Sequence, residues 1–163
     1  MKRLVILASG SGTNAENIIT YFKEHDSIEV SAVLSNKRDA KVLERAEKHG
    51  ILHGNFDRRE LNDPDGLLKY LKERADYVVL AGFLWKVPEA IVASFPNRII
   101  NIHPALLPKY GGKGMYGMHV HNAVVNNREE ETGITIHFVN EHYDEGAIIF
   151  QATVALSYPI SPE

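Results

Sequence analysis

The fold class the sequence predicts is α/β: an open, mostly parallel sheet with helices on both faces and an antiparallel portion at the C-terminal end. Three features predict it. Short apolar runs at residues 4–8, 30–34 and 77–80 have the length and β-branched content of buried strands. Each is followed by a segment with helical spacing of apolar residues, an alternation that points to parallel strands joined by right-handed crossovers. The last third of the chain instead carries two strand-like segments, residues 133–139 and 147–156, joined by a short loop. So short a link suits antiparallel pairing. The first strand runs straight into a glycine-rich turn, which makes the pattern Rossmann-like.

Taken in order, Met1-Lys2-Arg3 ahead of residues 4–8 resembles the start of a signal peptide. The apolar run is too short for that role, and glycines follow at once, so it reads as a first strand. Ser9-Gly10-Ser11-Gly12-Thr13-Asn14 is the glycine-rich loop. Ile18, Ile19 and Phe22 then mark one face of a helix from residue 15 to about 25. Residues 30–34 are the second strand and 40–49 a helix ended by Gly50. Residues 51 to 56 form a short strand, and Asp57-Arg58-Arg59-Glu60 reads as a solvated charged turn. Asp63-Pro64 opens a helix to about Arg74, with proline near its first position. Residues 77–80 are a buried strand left through Ala81-Gly82-Phe83-Leu84-Trp85, and Pro88 begins a helix to about Phe95.

The stretch that follows carries the most chemistry. Residues 97–100 have strand character, and Pro104 and Pro108 forbid a regular ladder or helix after them. Asn101 and His103 therefore sit where a strand stops and a rigid loop begins, the edge at which open α/β sheets bind ligands. Residues two apart on a strand share a side. An amide donor and an imidazole would face one pocket. An isolated Asn-x-His is also compatible with a turn cap and a packed histidine. Residues 109–117 form a loop with four glycines, a mobile cover or an anion-accepting segment. Residues 118–126 read as a helix carrying His119 and His121, a pair with metal-like spacing whose members point about 200° apart on a helix. Arg128-Glu129-Glu130-Glu131 is a solvated charge run, and residues 140–146 are a loop containing Asp144.

The bulk numbers narrow the function classes. The chain has 163 residues, 44% hydrophobic and 24% charged, enough for one domain with a real core. Its net charge of −3 does not point to nucleic acid or a membrane surface. The absence of cysteine excludes disulfides, thiolate catalysis and cysteine-based zinc sites, and fits a cytoplasmic protein. No apolar run approaches the length of a membrane span. At the glycine loop, backbone N–H groups and a helix N-terminus suit an anion. Gly10-x-Gly12-x-x-Ala15 also fits a loose dinucleotide fingerprint, without the lysine of a P-loop. With Ser35-Asn36-Lys37-Arg38 after the second strand, an NADP-dependent reductase stays open, as does a tight turn with no ligand.

Together these motifs resemble the folate-dependent formyltransferases. The resemblance runs through Ser9 to Asn14, Leu80-Ala81-Gly82-Phe83, Asn101 to Pro108, Thr132-Gly133-x-Thr135-x-His137-Phe138-Val139, and Asp144-x-Gly146 followed by Ile148-Ile149-x-Gln151. Each is modest alone; five in this order are specific. The resemblance implies transfer of the formyl group from 10-formyltetrahydrofolate to the amine of glycinamide ribonucleotide in purine synthesis, without a metal. It places the catalytic asparagine, histidine and aspartate on Asn101, His103 and Asp144. It places the substrate phosphate at Gly12, Thr13 and Asn14. Folate contacts fall on Arg59, Leu84, Trp85, Lys86, Val87, Asn101, His137, Val139 and Asn140. The implied partners are these small molecules, with no nucleic acid and no membrane, and a homodimer is compatible with them.

The chain departs from the family at three places. Trp85-Lys86 stands where the family often has arginine and an aliphatic residue, and the 111–118 loop is longer than in the shortest members. The chain stops at Ser161-Pro162-Glu163, where the family usually continues with a helix. The expectation is one formyltransferase domain over residues 1–163 lacking that helix. Related readings are a formyltetrahydrofolate hydrolase and a methionyl-tRNA formyltransferase. The different-class reading is a non-catalytic module that binds phosphate ligands.

Overall fold

The computed structural model describes residues 1–163, which form two compact units, Met1–Ile99 and Ile100–Glu163. In the first unit, strands β1 (Lys2–Ala8), β2 (Ile28–Ser35), β3 (His53–Asn55) and β4 (Tyr77–Leu80) are all parallel, in the order β3-β2-β1-β4. The chain first steps outward from β1 and then returns to its other side at β4. The carboxyl ends of β1 and β4 thus flank a topological switch point, where crevices open in such sheets.

Both faces of β1 are covered. Ile6 and Ala8 pack with Ala15 and Ile19 of helix α1 (Thr13–Phe22) and Val42 and Ala46 of helix α2 (Lys41–Lys48). Val5 and Leu7 alternate to the opposite face and are equally buried. Each fully buried aliphatic side chain here contributes about 1.5–3 kcal/mol. The end of α2 follows its sequence closely. Gly50 has φ +69°, its N–H donates to Glu47 O, and Ile51 N–H donates to Ala46 O. That is the pair of bonds of a Schellman cap, and Ile51 packs against the core beneath.

Two expectations change between β3 and β4. Residues 57–60 do not form a solvated turn. Asp57 caps helix α3 (Arg58–Asn62): its carboxylate accepts from Glu60 N–H while Glu60 accepts from Asp57 N–H, both at 2.8 Å. Asp-x-x-Glu is a legible capping box, read in the sequence only as a run of charges. The helix expected from Asp63 to Arg74 is broken. Residues Pro64–Leu68 make a wide turn with Gly66 at φ −90°, ψ −121°, and only then does α4 (Lys69–Arg74) begin. A Cβ on Gly66 would meet Glu60 O at 2.3 Å, so this kink needs glycine. Helix α5 (Glu89–Ser94) follows Pro88 as expected, and β3 is shorter than residues 51–56.

In the second unit, β5 (Ile99–His103), β6 (Glu131–Phe138) and β7 (Ile148–Ala155) are antiparallel. Helix α6 (Met118–Asn126) buries Val120 and Val124 against Ala105. No helix is long and apolar enough to cross a membrane. The fold is therefore α/β, mostly parallel with antiparallel C-terminal strands, as the sequence predicts.

Candidate active site

In the second unit β5 ends at His103, where Pro104 removes the next ladder donor. The register sets Asn101 opposite His137 and His103 opposite Thr135. Directly opposed residues share a face, so Asn101 and His137 meet: Asn101 Nδ2 lies 3.1 Å from His137 Nε2. Asp144 enters from the β6–β7 loop with φ +55°. Its Oδ1 lies 3.5 Å from both His103 Nδ1 and His137 Nε2, with the two histidines only 3% and 2% exposed and Asp144 11%. The other oxygen, Oδ2, accepts from Gly112 N–H at 2.9 Å.

Carbonyl acceptors fix the ring protons. His137 Nδ1 lies 2.8 Å from Phe138 O and His103 Nε2 lies 2.7 Å from Tyr110 O, and a carbonyl can only accept. Each of those nitrogens therefore carries hydrogen, which turns the other nitrogen of each ring toward Asp144. The structure thus brings Asn101, His103 and Asp144 together, with His137 as a fourth member that the resemblance placed only among folate contacts.

Burial pushes the Asp144 carboxyl up, but the His137 hydrogen bond, the Gly112 N–H and the positive charge of the two histidines outweigh it. Its pKa ends below the ordinary aspartate range, so it is an anion at neutral pH. A carboxyl depressed on folding contributes stability that is present above the unfolded value of about 3.9 and is lost as pH falls through the folded value. Asp144→Asn should remove part of the acid-side decline in stability below about pH 4, read by urea titrations across pH. An unchanged decline would mean the carboxylate is not held as described.

Behind this cluster, Thr135 is fully buried and makes three hydrogen bonds. Its hydroxyl donates to Ala105 O at 2.7 Å and accepts from Leu107 N–H and Gln151 Nε2 at 3.0 and 2.9 Å. Gln151 also donates to Leu107 O at 3.0 Å. These two motif residues thus pin the loop that follows His103.

In the first unit, the loop after β1 and the segment after β4 are tied at the switch point. Ser9 N–H donates to Gly82 O at 3.0 Å, Leu84 N–H donates to Ser9 Oγ at 2.9 Å, and that hydroxyl donates to Asn36 Oδ1 at 2.6 Å. Gly12 is the N-cap of α1 at φ +78° and offers no side-chain cap. The first-turn N–H groups of Thr13, Asn14 and Ala15 have no acceptor within the helix, and the side chains of Thr13 and Asn14 are exposed. Leu84, Trp85, Lys86 and Arg59 are at least partly exposed, whereas Val87 is buried. Trp85 stands edge-on to Phe56 at 6.4 Å, and Arg58 lies 4.4 Å over its ring. The cation organised there is Arg58 rather than Arg59.

Gly12 has a packing role that sequence reasoning missed. An added Cβ would come within 2.4 Å of Val42 Cγ2 and 2.7 Å of Val42 Cα. A bulky substitution would therefore disturb the α1–α2 contact before it reported on any ligand. Gly12→Ala should lower stability by about 2 kcal/mol from overpacking and left-handed strain, measured by urea unfolding. In the second unit Val139 is half-buried, and Asn140 Oδ1 accepts from His142 N–H at 2.9 Å, closing its own turn. His119 packs edge-on against Tyr116 at 5.2 Å, and no group of three or more His, Cys, Asp or Glu is placed to hold a metal.

A family model described as formyl transferase matches residues 2–159, and the chain belongs to that family. It is 39% identical, over 99% of its length, to the phosphoribosylglycinamide formyltransferase, chloroplastic, of Arabidopsis thaliana. It is 40% identical, over 93% of its length, to the phosphoribosylglycinamide formyltransferase of Escherichia coli (strain K12). The chain spans 58% of the Arabidopsis protein, 51% of the corresponding Vigna unguiculata protein, and 72% of the Escherichia coli one. Among solved structures, glycinamide ribonucleotide transformylase 1 from Symbiobacterium toebii matches with a TM-score of 0.89 at 33% identity, over 99% of this chain and 77% of that one.

Proposed function

We propose that this protein transfers the formyl group of 10-formyltetrahydrofolate to the amine of glycinamide ribonucleotide, a step of purine biosynthesis. The observation that carries the reading is the meeting of His103 and His137 at the Asp144 carboxylate, with Asn101 against His137. Relatives and solved structures named for this reaction support it.

The cluster suits the chemistry. The substrate amine attacks the formyl carbon, a carbon–nitrogen bond forms, and the carbonyl electron pair moves onto oxygen. Asn101 N–H donates to that oxyanion, joined by His103 once the ring carries the proton of the attacking nitrogen, where charge develops only along the reaction. His103 takes the proton from the attacking nitrogen and returns it to the departing folate nitrogen. The tetrahedral species then collapses, and formylated product and tetrahydrofolate leave. Asp144 holds both imidazoles in place.

In the same reading Gly12, Thr13 and Asn14 receive the phosphate on backbone N–H groups at the start of α1. Arg59, Leu84, Trp85, Lys86, Val87, Asn101, His137, Val139 and Asn140 meet the folate. Trp85 would supply a flat face where the family often has arginine. The partners are the two small molecules, in the cytoplasm, without nucleic acid or membrane. The test is loss of the formyl group from 10-formyltetrahydrofolate, followed by absorbance with and without glycinamide ribonucleotide. Loss that depends on the ribonucleotide is expected. Loss without it would replace the reading with a hydrolase, and none at all would overturn it.

A further inference from the structure

The geometry points to Tyr110 as a positioning residue that selects Nδ1 of His103 as the nitrogen that gains and loses the proton, an assignment that rests on the formyl-transfer reading above. The Tyr110 carbonyl, 2.7 Å from His103 Nε2, accepts from that nitrogen whether the ring is neutral or charged. Nδ1 is the other nitrogen, and it faces Asp144. Neutral His103 then offers a lone pair there, and the imidazolium offers an N–H. A ring free to exchange tautomers would divide its population between productive and unproductive forms.

Tyr110 is held for this purpose by its own side chain. Its φ is +56°, a conformation in which a non-glycine residue is strained and needs external support. The hydroxyl donates to Glu129 Oε1 at 2.7 Å and accepts from Asn127 Nδ2 at 2.8 Å. Lys109 Nζ lies 3.3 Å from the other Glu129 oxygen, and the Tyr158 hydroxyl donates to Glu129 O at 2.9 Å. Burial, reinforced by Glu129 and opposed by Asn127, pushes the Tyr110 hydroxyl above its ordinary range, so it stays a donor. Two residues on, Gly112 N–H holds the outer oxygen of Asp144. A Cβ on the intervening Gly111 would meet Leu107 Cδ2 at 2.5 Å and Asp144 Cβ at 3.4 Å. Tyr110 and Gly112 thus grip His103 and Asp144 by backbone groups, with Gly111 leaving the room between them, and the grip is anchored by the phenol on Glu129.

The test pairs nitrogen-15 NMR of the histidine rings with steady-state kinetics on the full chain. In the wild type, neutral His103 should be wholly the Nε2–H tautomer, with that proton protected from exchange with water. Tyr110→Phe and Glu129→Ala should each reduce that protection and lower kcat roughly tenfold, with KM for the ribonucleotide changed less than about twofold. Glu129→Gln keeps an acceptor for the phenol and should retain most of both. Should Tyr110→Phe fail to fold, the Glu129 pair decides. A wild-type Nδ1–H tautomer, or unchanged kcat in the folded variants, would overturn the assignment. The NMR arm needs no substrate, so it stands or falls even if no formyl transfer is found.

Discussion

His103→Ala is expected to lower kcat by about 10²- to 10⁴-fold, the usual contribution of a positioned proton-transfer group. Its effect on KM for the ribonucleotide should stay within about threefold, because the help is given to the transition state. The ring is almost wholly buried, and its Nδ1 faces a carboxylate kept ionised by His137, Gly112 and the charge of His103 itself. Asp144→Asn should move in the same direction, since it removes the one anion on which both histidines converge. Steady-state rates against ribonucleotide concentration, for both variants, are the measurement. A large rise in KM with kcat unchanged would assign these groups to ground-state binding and remove them from the chemistry.

The second large effect is on the loop that carries Asp144. Gly146→Ala should cost about 3 kcal/mol or more in stability and on the order of 10- to 100-fold in rate. A Cβ at this position would lie 1.6 Å from Phe138 O and 2.6 Å from Phe138 C. Those are backbone atoms, so no side chain can rotate away, and β6 or the loop itself must shift. The same shift would strain the bond from Phe138 N–H to Ala147 O at 2.9 Å and move Asp144 two residues upstream. Gly10→Ala is the internal comparison, because nothing lies within 4 Å of its added Cβ. Its stability should stay within about 0.5 kcal/mol of the parent. Equal denaturation midpoints for the two variants would contradict the packing described for Gly146.

The glycines show how unevenly such constraints are written in a sequence. Gly50 is legible, because a glycine after a helical period implies a left-handed cap, and it has one. Gly12 reads as a ligand-binding glycine, yet its nearest constraint is Val42 on α2. Gly66 sits inside what reads as a continuous helix from Asp63 to Arg74, yet the helix breaks there, in a kink that only glycine fits because Glu60 O occupies the space a side chain would need. Arg58 and Arg59 look interchangeable in the sequence. The capped start of α3 and the ring of Trp85 distinguish them.

By itself the sequence determined the alternation of strands and helices, the glycine turn after β1, the end of β5 at Pro104, and the candidacy of Asn101 and His103. These follow from local rules: periodicity, φ restriction at proline, and the chemistry of single side chains. Only the tertiary structure decided that His137 stands opposite Asn101, that Asp144 reaches both histidines, and that backbone groups of Tyr110 and Gly112 hold the cluster. Those relations depend on strand register and on a loop folded back through space. A backbone carbonyl or N–H leaves no trace in residue identity, because every non-proline residue carries both.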